Sequence, residues 1–130
     1  MRERKQVSSG APWEAIAGYC RAVQVGNTVH VAGTTAPGDT AAEQLENAFV
    51  IVADALAELG LGLQHVVRTR MYVTDISGWR PIAEAHGRVF APFAPHRPVT
   101  AMVEISALVE PWMTVEIEAV AIVPPDEADG

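Results

Sequence analysis

The fold is decided by residues 19–33, which read Tyr19-Cys20-Arg21-Ala22-Val23-Gln24-Val25-Gly26-Asn27-Thr28-Val29-His30-Val31-Ala32-Gly33. Residues 19–25 and 28–33 are two runs rich in β-branched and apolar side chains, and Gly26-Asn27 separates them. A tight hairpin turn needs positive φ, which Gly and Asn tolerate and most other residues resist. The stretch therefore predicts a β-hairpin.

An amphipathic helix is predicted downstream of the hairpin. Thr40 and Glu43 have the spacing of a capping box, in which the two side chains bond to free backbone N–H groups at the helix start. Apolar residues then recur at helical intervals: Leu45, Phe49, Val52 and Leu56. Gly60 is well placed to end the helix, because glycine adopts the left-handed conformation at little cost.

A third strand and a second helix follow. Residues 66–73 have the period of a strand, with Val67, Thr69, Met71 and Val73 predicted on an apolar face and Arg68, Arg70 and Tyr72 on the other face. The second helix is predicted over residues 77–90, with Pro81 in its first turn, where the missing N–H costs little. Its expected inward residues are Ile82 and Val89.

The last part of the chain predicts a connector and two more strands. Residues 91–98 contain Pro92, Pro95 and Pro98, which interrupt backbone hydrogen bonding and indicate an irregular segment. Residues 99–105 and 115–123 alternate again and predict strands.

The predicted order is β-β-α-β-α-β-β, an α+β fold in which two helices cover one face of a single mixed sheet. The other face would expose an apolar patch carrying Met102, Val120 and Ile122, and monomers rarely tolerate a large exposed patch. We therefore expect copies of the chain to associate through that face. One domain is expected over residues 1–130, with residues 1–12 as an N-terminal extension and residues 124–130 as a frayed acidic tail.

The composition fits one globular domain and disfavours several classes of partner. Of the 130 residues, 49% are apolar and 19% are charged. The net charge of −7 repels nucleic acid and anionic membrane surfaces. No apolar run reaches membrane-spanning length, and the basic residues 1–5 are not followed by the apolar core of a signal peptide. We expect a cytoplasmic protein that binds neither nucleic acid nor membrane.

The histidines and the single cysteine do not predict a metal centre. Cys20 has no second cysteine with which to form an intrachain disulfide. No close ligand spacing links Cys20 with the four histidines, which are His30, His65, His86 and His96. We expect no metal and no other cofactor. His86, on the second helix, either lines a ligand cleft or is a hydrogen-bonded structural group.

The order and spacing of six short motifs resemble the Rid/YjgF family along nearly the whole chain. They are Gly18-Tyr19-Cys20-Arg21-Ala22-Val23, Val25-Gly26-Asn27, Val31-Ala32-Gly33, Val66-Val67-Arg68-Thr69, Tyr72-Val73-Thr74-Asp75-Ile76 and Val115-Glu116-Ile117-Glu118-Ala119. The resemblance implies a chorismate-mutase-like fold. It also implies a homotrimer whose three sheets face inward and whose ligand clefts lie between neighbouring subunits.

The resemblance implies an activity as well. Family members with demonstrated activity hydrolyse imines and enamines released by pyridoxal-phosphate enzymes to a 2-oxo acid and ammonia, and an arginine anchors the substrate carboxylate. A guanidinium group offers a carboxylate two parallel charge-assisted donors, and a nearby acid handles the protons of the attacking water.

The chain departs from the family pattern at the cleft. Thr100 stands at the arginine position, and Met102 stands at the position of a cleft cysteine. Ala32 replaces a residue that is usually serine, Ala83 replaces an asparagine, and the loop of residues 34–39 is short. The chain therefore looks like a divergent branch of the family. The cleft residues that it retains are Tyr19, Gly33 and Glu116.

Two arginines are candidates for a relocated carboxylate anchor. Arg21 follows Tyr19 by two residues, so both side chains would project to the same side of a strand. The alternative for Arg21 is a structural ion pair with Glu104 or Glu118. Arg97 lies in the proline-rich connector, where the alternative is a solvated side chain.

Glu116 is the candidate for proton transfer, because a strand carboxylate at a subunit junction is partly desolvated. The alternative is a buried ion pair with an arginine. Tyr19 either orients a ligand through its hydroxyl or packs at the sheet interface. The predicted substrate-binding set also contains Gly33, Thr100 and Met102.

These candidates support two functions of different class. The first is hydrolysis of a reactive imine or enamine, with Glu116 activating water and Arg21 or Arg97 replacing the anchor. The second is binding or conversion of a less anionic metabolite without deamination, because Thr100 and Met102 make the cleft less cationic. Ribonuclease activity, which is attached to some family members, is disfavoured by the acidic charge and by the absence of a basic or aromatic stripe.

Overall fold

The computed structural model describes residues 3–125, in which a six-stranded mixed sheet packs against helices. The strands are β1 (Arg4–Val7), β2 (Ala22–Val25), β3 (Thr28–Thr34), β4 (Val66–Val73), β5 (Val99–Glu104) and β6 (Val115–Ile122), and the helices are α1 (Pro12–Ala17), α2 (Ala41–Ala57) and α3 (Trp79–Phe90). The order across the sheet is β1-β2-β3-β6-β4-β5. Strands β4 and β5 are parallel, and all other neighbours are antiparallel. The predicted α+β fold is confirmed.

Strand β1 and helix α1 precede the seven elements that the sequence predicted. Both begin within residues 1–12, which were expected to form an extension. Only Val7 is buried in β1, so the strand shows no alternation and depends on pairing with β2. Helix α1 has six residues and buries none of them, which leaves no apolar stripe to detect in the sequence. Residues 126–130, which form most of the predicted acidic tail, lie outside the described part of the chain.

The predicted hairpin is formed by β2 and β3 around Gly26-Asn27. Gly26 has φ 62°, which is the left-handed conformation that the turn requires. The regular part of β2 begins at Ala22, three residues later than predicted. Arg21 nevertheless bridges its neighbours, because its N–H donates to Val7 and its carbonyl accepts from Ala32, at 2.8 and 2.9 Å.

Helix α2 begins and ends as the sequence predicted. The Thr40 hydroxyl accepts a hydrogen bond from the Glu43 N–H at 3.1 Å, and the Glu43 carboxylate accepts one from the Asp39 N–H at 2.9 Å. At the other end Gly60 has φ 76°, and its N–H donates to the Ala57 carbonyl at 3.0 Å. The four apolar residues predicted for this helix are buried.

The core lies between the sheet and helices α2 and α3, which pack against each other. Helix α2 lies against β3 and β6. Ile82 of α3 is buried as predicted, and Val89 is half-buried against the core. Every second residue of β6 faces the core, namely Val115, Ile117, Ala119 and Ala121.

The structure corrects two predicted side-chain directions. Met102 was expected on the open sheet face, but it pairs in register with the buried Met71 of β4 and packs against the core. Parallel neighbours in register project to the same side of a sheet. Val67 was expected to face the core but is exposed, because the pairing of β4 with β6 shifts register between Val66 and Arg68. Val120 and Ile122 lie half-buried on the open face, as predicted.

Gln44 of α2 is a buried polar side chain that holds the loop of residues 105–114 against the helix. Its Nε2 donates to the carbonyls of Trp112 and Gly38 at 2.9 and 3.3 Å. Its Oε1 accepts from the N–H and the hydroxyl of Thr114, both at 2.9 Å. Gln44 therefore positions the loop that leads into β6.

We expect Gln44→Met to lower the free energy of unfolding by about 1–3 kcal/mol, because it removes four part-buried hydrogen bonds that the buried amide makes. Urea unfolding at one protein concentration measures the change. Gln64→Met is the matched control, since Gln64 is exposed and a surface substitution is expected to stay within about 0.5 kcal/mol of wild type. Equal stability of the two variants would contradict the role assigned to Gln44.

Candidate functional site

A cavity of about 750 Å³ lies between helix α1, the end of β3, the start of β6 and the loop of residues 105–114. It brings together Tyr19, Arg21, Gly33 and Glu116, which the sequence analysis had selected from separate motifs. Most of its remaining lining is apolar. A cavity of this size is in the range of small-molecule sites, at roughly 300–1,000 Å³.

Arg21 lines this cavity and has no carboxylate partner in the described part of the chain. Its Nη1 donates to the Gly33 carbonyl at 3.2 Å and to the Thr34 hydroxyl at 3.0 Å. Its Nε is buried and finds no acceptor among residues 3–125. Within the same residues no carboxylate oxygen lies within 4.0 Å of its nitrogens. The guanidinium is thus held by neutral groups, and its charge is not neutralised by an ion pair.

The ion pairs that were the alternative for Arg21 do not form. The Glu104 carboxylate accepts a hydrogen bond from the Ile76 N–H at 3.0 Å. The Glu118 carboxylate accepts one from the Tyr72 hydroxyl at 2.7 Å and lies 3.9 Å from Arg70 Nη1. Both glutamates are therefore engaged by other groups.

Glu116 reaches the cavity from β6 and lies directly against Gly33. A Cβ atom added at Gly33 would lie 2.7 Å from Glu116 Oε1 and 2.9 Å from its Cδ, closer than such atoms can approach. The pairing of β3 with β6 shifts register between Val31 and Thr34, so Gly33 belongs to a bulge. Glycine at this position and the bulge together make room for the carboxylate.

The environment of Glu116 favours its protonated form. Burial raises the pKa of the Glu116 carboxyl above the usual value for glutamate, and the negative charge of Glu118 raises it further. The positive charge of Arg21 lowers the same pKa and opposes these two effects. Because no arginine is within ion-pair distance among the described residues, Glu116 is not locked in the buried ion pair that was its alternative.

Tyr19 follows the end of α1 and lines two cavities. Gly18, with φ 72°, ends the helix, and the Tyr19 N–H donates to the Glu14 carbonyl at 3.1 Å. Tyr19 lies beside Arg21 and Glu116 in the first cavity. It also borders a second cavity of about 580 Å³ on the open sheet face, together with Cys20 and His30.

Thr100 and His86 lie away from the first cavity and belong to one hydrogen-bonded chain, which runs from the buried His86 and Thr69 to the exposed Thr100. His86 Nε2 is 2.8 Å from the Thr69 hydroxyl, which donates to the Thr100 hydroxyl at 2.6 Å. The His86 ring packs against Phe49 and Phe90, with ring centroids 5.7 and 4.8 Å away. Burial lowers the pKa of the His86 imidazole, which favours its neutral form. These contacts fit the structural alternative for His86.

Met102 and Arg97 also lie outside the first cavity. Met102 packs against the core from β5. Arg97 is exposed in the connector, where its N–H donates to the Pro95 carbonyl at 3.0 Å. One chain thus brings together four of the eight predicted site residues and leaves the other four apart.

Trp13 and Trp112 line the first cavity and were missed by the sequence analysis. Trp13 lies in helix α1, which the sequence did not predict, and Trp112 lies in the loop before β6. The feature that could have identified them is the position of the tryptophans in the sequence. The chain has three tryptophans, and two of them fall outside the predicted helices and strands. Large aromatic residues outside regular elements often mark binding surfaces.

The described part of the chain shows neither a metal-binding cluster nor a membrane-spanning helix. No group of three or more His, Cys, Asp or Glu side chains in residues 3–125 could hold a metal ion. Within those residues, every helix is too short or too polar to cross a membrane.

Comparison with known proteins agrees with this architecture. The sequence profile of the family described as Endoribonuclease L-PSP matches residues 9–123. An uncharacterized protein of Streptomyces coelicolor is 36% identical over 125 residues, covering 90% of each chain. Protein DfrA of Myxococcus xanthus is 32% identical over 129 residues, covering 92% of this chain and 95% of its own.

Two solved structures show the same fold. A member of the YjgF/YER057c/UK114 family from Mycobacterium tuberculosis is 50% identical, with a TM-score of 0.88 over 93% of this chain and 100% of its own. The YjgF protein of Escherichia coli has a TM-score of 0.79 over 91% and 98%, at 23% identity, which is a likeness of fold alone. The family profile covers most of the chain, and the resemblance seen in the sequence motifs agrees with it. This chain is therefore a member of the YjgF/Rid family, whose family profile is described as Endoribonuclease L-PSP.

Proposed function

We propose that this protein hydrolyses a reactive imine or enamine to a carbonyl compound and ammonia in the cavity that contains Arg21 and Glu116. The observation that carries the proposal is that one cavity holds a guanidinium, which has no carboxylate partner among residues 3–125, and a partly desolvated carboxylate. The first group suits a substrate carboxylate, and the second suits proton transfer to and from water.

The proposed reaction uses one water molecule. The Glu116 carboxylate accepts a proton from water as the water oxygen bonds to the imine carbon, and the C=N electron pair moves to nitrogen, which takes a proton from solvent. The resulting carbinolamine loses the proton of its hydroxyl group to solvent. Its C–N bond then breaks as nitrogen receives a proton from Glu116, and the products are the carbonyl compound and ammonia. An enamine first takes a proton on carbon to become the imine.

The positions of Arg21 and Glu116 support these roles. Arg21 is held in place through Nη1 by Gly33 and Thr34, so the orientation of its guanidinium does not depend on a ligand. Preorganised groups of this kind bind and stabilise charge without a cost of reorientation. Tyr19, on the same wall, is proposed to orient the substrate.

We also propose that the site functions in a homotrimer. The open sheet face carries half-buried Val120 and Ile122, and the edge strand β5 exposes Val99 and Val103 at 68% and 47%. An apolar face of this kind favours association with further copies. Thr100 and Arg97, exposed on and before β5, would then reach a cleft from the neighbouring subunit. His86 and Met102 are packed in the core and receive no role in the reaction.

A second function is favoured by the apolar walls of the cavity. Trp13 and Trp112 border it, and Arg21 is its one arginine among the lining residues described. A site of this composition suits a less anionic metabolite that is bound or converted without deamination. Ribonuclease activity has less support, because the net charge of −7 repels RNA phosphates.

The first expected outcome concerns turnover. Imines generated by an amino-acid oxidase are trapped by semicarbazide, and the wild-type protein should reduce the yield of semicarbazone. Glu116→Gln is expected to lower kcat by about 10²- to 10⁴-fold, the usual contribution of a general base. Arg21→Ala is expected to lower kcat/KM by about 10- to 100-fold through KM, since it removes a charge-assisted contact.

Matched controls come from the exposed ion pair Arg80–Glu84 on α3, whose residues do not line the cavity. Arg80→Ala and Glu84→Gln should keep wild-type turnover. Absence of acceleration for every imine tested, by a wild-type protein shown to be folded, would leave the second function as the better one.

The second expected outcome is a pH profile. A general base is active in its deprotonated form, so kcat/KM should fall as the pH decreases through the pKa of Glu116. Because burial raises this pKa, the fall should occur at a higher pH than for an ordinary glutamate. Glu118→Gln removes a negative charge that raises this pKa, so the acid limb should move to lower pH. Arg21→Ala removes a charge that lowers it, so the limb of the residual activity should move to higher pH. If neither substitution changed the pH at which kcat/KM falls, Glu116 would be excluded as the titrating base.

A further inference from the structure

The cavity has two ends of different chemistry. Arg21, Gly33 and Glu116 form a polar end, which the proposed function uses. The rest of the wall carries large apolar side chains that are strongly exposed: Trp13 at 42%, Ile16 at 80%, Val109 at 73% and Trp112 at 45%. Single exposed apolar residues are ordinary, but four around one cavity form a patch, which marks a binding surface.

Backbone hydrogen bonds fix the segments that carry Trp13 and Trp112, which form the two aromatic walls of the cavity. The Trp112 carbonyl accepts a hydrogen bond from the buried Gln44 amide at 2.9 Å, and the next N–H, that of Met113, donates to the Glu110 carbonyl at 3.1 Å. Trp13 lies in the first turn of α1, and the helix is closed by the Gly18 N–H, which donates to the Glu14 carbonyl at 2.9 Å. A wall built on ordered backbone loses little conformational entropy when a ligand binds.

The size of the cavity points to a ligand larger than the smallest imines. At about 750 Å³ the cavity exceeds what a two- or three-carbon imine would fill. Such a molecule at the polar end would leave the tryptophan walls in water. A ligand that also covers Trp13 and Trp112 would remove their apolar surface from water, which is favourable.

We infer that the preferred substrate is a 2-imino acid with an aromatic or large apolar side chain. Its carboxylate contacts Arg21, its C=N carbon faces Glu116, and its side chain contacts Trp13 and Trp112. The inference rests on the proposed hydrolysis and adds the substrate class. A site of this kind discriminates between imines by the size of their side chains, whereas an unselective site would accept any small imine.

The test compares two imines made by one enzyme. A D-amino-acid oxidase converts D-phenylalanine and D-alanine to the corresponding 2-imino acids, and semicarbazide competition gives kcat/KM for each. The wild-type protein should prefer the phenylalanine-derived imine by about tenfold or more, the size of discrimination that an apolar pocket provides. Trp13→Ala and Trp112→Ala should bring that ratio towards one, and Trp112→Phe should restore most of it.

Trp79→Ala is the matched control. Trp79 is 52% exposed, like the two cavity tryptophans, but it begins α3 and does not line the cavity. This variant should keep the wild-type ratio and rates. Light scattering and circular dichroism on every variant show whether mass and fold are retained.

Each outcome decides a different question. Equal turnover of the two imines by the wild-type protein overturns the substrate class and leaves the proposed hydrolysis intact. Turnover of neither imine overturns the hydrolysis and the substrate class with it. A change of mass in Trp13→Ala or Trp112→Ala identifies the walls as contacts between copies and also overturns the inference.

Discussion

Strand β6 lies at the centre of the sheet although it is the last strand in the chain, and its two sets of backbone hydrogen bonds hold the molecule together. It pairs antiparallel with β3 on one side and with β4 on the other. Without it, the β1-β2-β3 part and the β4-β5 part of the sheet have no common hydrogen bonds. Bringing residues so distant in sequence together costs loop-closure entropy, which burial of the core must repay.

Because side chains alternate along β6, the same strand contributes residues to the core and to the candidate site. Val115 and Ile117 are fully buried under α2, so the intervening Glu116 must project to the other side of the strand. There the β3 bulge and Gly33 admit its carboxylate. The neighbouring Glu118 is instead engaged by Tyr72. Two glutamates on one strand face thus have different environments, and one remains available for proton transfer.

The pairing of the strands also determines the positions of Arg21 and Thr100. Arg21 bridges β1 and β3 through its backbone, which places its side chain against Gly33 and Thr34. Thr100 accepts a hydrogen bond from the Thr69 hydroxyl, which lies 2.8 Å from Nε2 of the buried His86. The guanidinium of the first cavity comes from Arg21, which directly precedes β2.

The sequence by itself determined the local elements and the family, because these depend on short-range patterns. Positive φ at Gly26, the Thr40 cap and the periodicity of α2 are local constraints, and they appear in the structure as predicted. Tyr19, Arg21, Gly33 and Glu116 were also chosen from sequence motifs. Only the tertiary structure decided which of the eight candidates share a cavity, since that depends on strand order and register. The tertiary structure also decided that Met102 faces the core, because β5 pairs in parallel with β4. It decided as well that Trp13 and Trp112 line the cavity, because α1 and the loop before β6 have no sequence periodicity from which this could be predicted.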